Sequence, residues 1–597
     1  MSRDDTVHRS DRNSGSRRTL RRRALLGSFG SAGIALLAGC GGDGGGGDGD
    51  GDGGGDGGDG GDGGGDGGDG NGGQPQYLIT DVDDNPPSLD PHAIEPTDFN
   101  ANAVWPMNAY ETLVFYEPGG PELVPVLSTQ VPTTDNGLIT NDGRTYEFPL
   151  REGVQFHTGG EMTSEDVRYS IERVQTMGLA PGVSDVGVIE NIETPDDYTI
   201  RLTTDTLRPS FLNGTVPSKN MVVLSREAVE NNGGVQEGQR NEYVAQTTIG
   251  TGPYQLGDWQ RGSSMRWDYF EDYWAPDTVG PDGVYQRIHS EVASAVAQIS
   301  RGGAHASSFE AADVESFEGS GAEITSFASL AQLFLFFNYE IPYDRDDMPD
   351  NDTVPSSFFQ DPNVRRAFGF AIDYQDYYDR VWSGYGEISN QPCHLPGMPF
   401  FDEDAPNFHH DPEMVEQSLR DAGYWQDGFE FTIMSEDFGE AANTLLYIKD
   451  ALEGLNERIT INTMTMPEAQ YVERRNKDPW SFTMDAGGFP SFGPDPAPYY
   501  SNLLNGPAAE GGRHREYIDD RFFEAAEEAG TILDLDRRQE LYSELQALGV
   551  EDPPAISLLA EGLIKIHLPC VEPEVNPASS KDVYKRWDIS ACEPIGF

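Results

Sequence analysis

Basic charge is what this chain has least of. Its 597 residues hold 40 Lys and Arg against 101 Asp and Glu, a formal net charge of -61, and only six of the basic residues are lysine. With no basic stripe to neutralise phosphates, nucleic-acid binding is excluded. Cysteine is scarce too, at four. That is too few for a disulfide framework, and no CxxC or Cys/His zinc spacing accompanies them. There is no Gly-x-Ser-x-Gly, no HExxH and no phosphate-binding loop, so the common hydrolase and nucleotide signatures are missing. No internal repeat is present, which speaks against a structural surface array. The apolar run Ala24 to Gly39 is short and rich in Gly and Ser, poorly suited to crossing a hydrocarbon layer of ~30 Å.

What is present begins with an address. Arg17, Arg18, Arg21, Arg22 and Arg23 precede that apolar run, which ends at Cys40. A basic region, a short apolar region and small residues are the anatomy of an export signal. Thr19 to Leu26 resembles a twin-arginine export motif, and Leu37-Ala38-Gly39-Cys40 resembles a lipobox, in which cleavage exposes a cysteine for lipid attachment. An uncleaved N-terminal anchor is the alternative. Residues 41–73 are almost pure Gly and Asp; they lack core-forming side chains and repel one another, which predicts a disordered tether spanning roughly 30 Å. Calcium-binding Gly/Asp repeats are disfavoured, because those need an apolar residue in each repeat.

The tether carries nine of the acids and the signal carries eight arginines, so the body is strongly acidic by itself. Such self-repulsion destabilises a compact state at low salt and is screened at molar salt, where the Debye length is ~3 Å. Acidic, lysine-poor surfaces resemble those of extreme halophiles; an acidic partner-binding tail is disfavoured because the acids are spread along the body. Outside a membrane disulfides are allowed, and Cys570 with Cys592 is the best candidate pair, leaving Cys393 as a packed thiol.

About 520 residues follow the tether, too many for one core, and their pattern is mixed α/β. Tyr198 to Leu202 and Phe429 to Ile433 alternate like strands, and Leu333 to Phe337 is a continuous apolar run that predicts a strand buried on both faces. Thr163 with Asp166 forms a capping-box pattern ahead of Val167, Ile171 and Val174. Asp411-Pro412 through Gly423 carries start and stop signals around Val415, Leu419 and Ala422. A third helix is predicted over Arg537 to Leu548, with Leu541, Leu545 and Leu548 on one stripe. The tract Gly488 to Tyr500, rich in Pro, Gly and aromatics, predicts a long loop that is neither helix nor central strand, and such loops often bind ligands.

Asp142 to His157 (DGRTYEFPLREGVQFH), continuing through Glu161 to Val167 and Ser170 to Arg173, resembles the signature of the peptide/nickel class of extracellular solute-binding proteins that feed ABC importers. Tyr110 to Val114 precedes it. Gly250-Thr251-Gly252-Pro253-Tyr254, then Tyr273-Trp274, then Phe359 to Asp373 follow in the expected order. The resemblance covers residues 76 to 597. It implies a two-lobed α/β periplasmic-binding-protein-like fold of type II with an extra subdomain. It places lobe I at 76–338 plus 561–597, with the subdomain at 121–249, and lobe II at 339–560. Crossings are expected near Phe337–Tyr339 and Ile556–Glu561, with ligand buried by hinge closure.

The implied function is a lipid-anchored substrate-binding component on the extracellular face of the membrane. It would work as a monomer without chemistry or cofactor of its own, capturing a small solute for an ABC permease. A secreted hydrolase is the alternative. His409-His410 with Asp411 makes a poor metal site, since adjacent residues rarely point at one ion and Asp411 suits a helix N-cap better; no metal or catalytic residue is expected. In peptide-binding members the aromatic loop resembles aromatic-Gly-Ala-Asp-Tyr-x-Asp-Pro, and its first Asp pairs with the ligand ammonium. Aligned on Asp495-Pro496, that position is Phe492 here, which puts peptide recognition in doubt. The expected ligand-facing residues are Trp382, Tyr385, Phe489 and Phe492, with Asp485 as a candidate substitute carboxylate and Cys40 as the lipid anchor.

Overall fold

A computed structural model describes residues 76–596 except 83–85, 94–105, 119, 180–185, 290, 309–310, 345, 438, 476, 478–480, 490, 506–517 and 577–580. The export signal, Cys40 and the Gly/Asp tether lie outside the described residues, as does the side chain of Phe489.

The apolar run at Leu333 to Phe337 behaves as its pattern predicts. It forms the end of a strand, Glu323–Phe337, and all five side chains are buried. That strand has a neighbour on each edge, Met484–Phe489 and Ala555–His567, both antiparallel to it. Around this trio an eleven-stranded mixed sheet is laid out in the order Ile459–Met466, Phe429–Glu436, Met484–Phe489, Glu323–Phe337, Ala555–His567, Ala306–Ser308, Tyr77–Val82, Gly283–Ile288, Ser264–Tyr269, Tyr254–Gln260. A short strand, Glu387–Ile388, pairs with Ala555–His567 beside this path.

Three apolar cores serve the sheet. One draws on residues between Ala295 and Ile566, including the Phe337, Phe359, Phe368 and Phe431 rings. A second joins Leu78 through Ala306 to Val571 through Cys592. A third, Leu113 to Val223, is built on a four-stranded sheet of Ile139–Thr140, Thr145–Pro149, Thr199–Thr204 and Ile189–Asp196. The helix Ser164–Met177 covers it. There the backbone N–H of Thr163 donates to the Asp166 carboxylate at 3.0 Å. The helix Pro412–Asp421 starts on Asp411, which accepts from the N–H groups of Glu413 and Met414, and Gly423 follows with φ +85°. Asp411 is thus a cap. The third helix is longer than its apolar stripe, Leu535–Glu551.

The expectation of one long loop over Gly488 to Tyr500 needs correction. Gly488 and Phe489 belong to a strand with partners on both edges, and Ala497–Asn505 is a helix, so only the middle of the aromatic tract is loop. Pro498 sits in the helix's first turn, where its missing N–H costs nothing. Cys570 and Cys592 form a disulfide, and Cys393 is buried as a thiol.

Candidate functional site

The two long strands border two cores, with Leu330 packed against both, and their pairing breaks there. Ala328 faces Gly562 and Gln332 faces Ala560, so three residues of one strand answer one of the other. Such an irregularity bends the sheet locally. Opposed residues of antiparallel strands point to the same face. Phe489 faces Gln332, and Glu387 faces Ala560. Gln332, Ala560 and Glu387 therefore form one row across three strands. Gln332 is fully buried, and neither its amide oxygen nor its nitrogen has a hydrogen-bond partner among the described residues. Glu387 is half-buried, and burial pushes its carboxyl pKa up. The row therefore carries an amide and a carboxylate, both lacking partners among the described residues.

Two of the expected aromatic positions stand beside this row. The loop Trp382–Gly386 packs against the crossing so closely that a methyl group on Gly386 would lie 2.6 Å from the Ala560 carbonyl. Tyr385 is partly buried against the neighbouring core. Trp382 is buried, and its indole N–H donates to the Tyr377 hydroxyl at 3.1 Å, which in turn bonds Thr444 at 2.8 Å. Its polar edge is thus committed to the core.

On the other side of the row, the aromatic loop reaches a segment from early in the chain. A methyl group at Gly493 would lie 2.8 Å from both the Asn213 carbonyl and the Tyr116 hydroxyl, and that hydroxyl donates to Asn213 O at 2.6 Å. The Phe492 N–H donates to the Tyr499 hydroxyl at 3.0 Å, and the two rings meet edge-on at 5.1 Å. Phe492 is half-buried. A second meeting point brings Leu533 to Gly143 and Leu207.

Both carboxylates near the aromatic loop are engaged. Asp485 is fully buried; Tyr471 donates to it at 2.8 and 2.9 Å, and Arg475 lies 3.3 Å away. Burial raises its pKa, and Arg475 and Tyr471 oppose that shift. Arg475 also stacks 5.0 Å above Phe336. Asp495 pairs with Arg538 and accepts from the Ala497 N–H at 3.0 Å.

Residues from the separate sequence stations converge on a framework rather than on the row of Gln332 and Glu387. Glu111 accepts from Tyr273 at 2.7 Å, Trp274 at 2.8 Å and Thr251 at 3.1 Å. His157 bonds the Gly252 carbonyl at 2.8 Å. Arg173 makes a fully buried pair with Asp90. Sequence reading did not single out Gln332 or Glu387. The only local cue was a carboxylate directly after the Gly-rich aromatic turn at 382–386.

Among the described residues no helix is long and apolar enough to cross a membrane. Residues 122–510 match the family described as bacterial extracellular solute-binding proteins, family 5, middle. The di/tripeptide-binding protein 3 of Pseudomonas aeruginosa is 23% identical over 494 residues, spanning 77% of this chain and 84% of that protein. The structure of DppA from Helicobacter pylori, in complex with the peptide STSA, aligns with a TM-score of 0.64 at 21% identity, covering 85% of this chain and 96% of that one. NikZ from Campylobacter jejuni, in complex with Ni(L-His), aligns at 0.67 with 18% identity, covering 86% and 99%. The fold is the two-lobed α/β fold of periplasmic binding proteins, and the chain belongs to the family 5 extracellular solute-binding proteins.

Proposed function

We propose that the protein is the lipid-anchored, extracellular substrate-binding component of an ABC importer, which captures a small solute between its lobes and presents it to the permease. The observation that carries this reading is the crossing itself: two long strands with broken pairing, flanked by the Trp382–Gly386 and aromatic loops, one of which reaches Asn213 and Tyr116. Closure about such a crossing buries a ligand between lobes. The lobes are taken as 76–338 with 561–597 and as 339–560; the register shift favours a first crossing at Ala328–Gln332, earlier than Phe337–Tyr339.

The ligand is not a generic peptide held by its N-terminus at the aromatic loop. A buried ammonium needs a counter-charge; Phe492 stands where the peptide-binding relatives' carboxylate is expected, and Asp485 and Asp495 are already paired. Members of this structural group with Ni(L-His) or a peptide bound illustrate how widely the ligand varies on one fold. The twin-arginine signal, the lipid on Cys40, adaptation to high salt and a monomeric state complete the proposal.

Mass spectrometry of small molecules co-purified with protein from its native cells tests it. A solute recovered at stoichiometric amount, with no turnover of a hydrolase substrate panel, is the expected result. Turnover without a retained solute would favour the secreted hydrolase. Calorimetry with a mixed tripeptide pool at molar KCl should show weak or no binding. Tight binding abolished by N-acetylation of the pool would overturn the ligand assignment.

A further inference from the structure

Most polar groups of the crossing are satisfied within the protein. Asp485 has Arg475 and Tyr471. Trp382 has Tyr377. Among the described residues, Gln332 and Glu387 have no such partner. A buried amide with no partner costs stability, and a half-buried carboxylate with no cation is costly for the same reason. Two such costs on one face, two strands apart, are hard to account for as packing.

Cross-strand neighbours on one face have Cβ atoms ~5 Å apart. Glu387 and Gln332 flank Ala560, so their Cβ atoms stand roughly 10 Å from each other by the same spacing. Ala560 between them is buried and has no polar side-chain atom, so neither polar end finds a partner there. A carboxylate only accepts hydrogen bonds, and an amide offers an acceptor as well as a donor. A positively charged nitrogen group with several N–H donors meets the Glu387 carboxylate and the Gln332 amide oxygen, and the amide N–H2 then takes an acceptor beside that cation.

We infer that Glu387 and Gln332 are ligand-binding residues that together take an ammonium or guanidinium group of the solute at the crossing. This rests on the solute-capture reading above and adds where the ligand's charge lies. The cation is held on the crossing strands rather than on the aromatic loop, where Phe492 leaves no carboxylate.

The test uses full-length protein at molar KCl and the small-molecule extract of its native cells, divided by cation exchange into retained and unretained fractions. Calorimetry should find binding from the retained fraction only. Glu387→Gln should weaken that binding at least about 30-fold, the loss expected when one partner of a desolvated charge pair is truncated. Gln332→Leu should also weaken it while leaving the thermal midpoint of the unliganded protein unchanged or higher, because an unpaired buried amide is removed; a purely structural glutamine would lower that midpoint. Binding from the unretained fraction alone, or wild-type affinity in Glu387→Gln, overturns the inference but keeps solute capture. Binding from neither fraction overturns both.

Discussion

Arg538 holds both carboxylate oxygens of Asp495 from one nitrogen, at 2.9 Å each, with both side chains 5% exposed. The same guanidinium donates from Nε to the Ala529 carbonyl at 2.9 Å and lies 4.7 Å above the Phe400 ring. Asp495 in turn caps the helix Ala497–Asn505. The pair fixes the exit of the aromatic loop and removes Asp495 from the pool of ligand anchors.

Removing one partner of such a pair leaves a buried charge. Arg538→Met should therefore destabilise the protein by about 3–5 kcal/mol. Adding Asp495→Asn should recover most of that, since Asn keeps an acceptor for the Ala497 N–H. Chemical denaturation in molar KCl reads both. Equal stability of the single variant and the wild type would show that the pair contributes nothing.

Acid should act through buried histidines. The Ile79 N–H donates to Nδ1 of His305 at 2.9 Å, so that nitrogen must be unprotonated. Burial, aided by Arg287, lowers the His305 pKa from 6.5 to about 4. Between these values the unfolded chain binds the proton and the native chain does not. The stability this group contributes is therefore complete above about pH 6.5 and is lost as pH falls toward 4, up to roughly 3 kcal/mol at the usual exchange rate. His157 and His394 are lowered in the same way by burial. His305→Asn keeps the acceptor and removes the titration, so stability measured from pH 7 to 4 should fall less steeply. An unchanged slope would exclude His305.

Salt dependence follows from charge. With 101 acidic against 40 basic residues, circular dichroism should show loss of native structure as KCl is lowered from molar to millimolar, with recovery on restoring salt. A fully native spectrum at low salt would contradict this.

Local chemistry made the helices legible. Thr163 with Asp166 and Asp411 with Pro412 announce their starts because capping is settled within one turn. The five apolar residues at 333–337 announce a buried strand for the same local reason. The aromatic tract misled because its prolines and glycines suggest a loop throughout, whereas Pro498 in a first turn starts a helix, and because Gly488 and Phe489 take their strand from partners more than about 150 residues away. Apart from the carboxylate that follows the turn at 382–386, the row of Gln332 and Glu387 had no local signal. It exists through cross-strand register, which couples residues far apart in the chain.

Anchoring is decided at Cys40. Leu37-Ala38-Gly39-Cys40 after an export run predicts a processed, lipid-bearing N-terminus. Cys40→Ser should release the protein into the medium or leave it unprocessed. Normal processing and membrane retention in that variant would refute the anchor.

Closure should depend on Gly493. Its φ is +88°, a region that L side chains rarely adopt. Its Cα also faces the Asn213 carbonyl and the Tyr116 hydroxyl too closely for a methyl group, at 2.8 Å from each. Gly493→Ala therefore carries two penalties, one local to the loop and one confined to the contact with Asn213. An opened arrangement relieves the second, so the variant should shift toward the open form. Small-angle scattering at molar KCl should show a larger radius of gyration for Gly493→Ala than for the wild type, and the affinity for the co-purified solute should drop about tenfold for each 1.4 kcal/mol by which closure is disfavoured. The control is Gly159→Ala, which shares a positive φ but has open space around it. It bears only the local backbone penalty and should leave the radius of gyration unchanged. Equal radii for both variants and the wild type would mean that the aromatic loop's contact with Asn213 and Tyr116 does not govern closure.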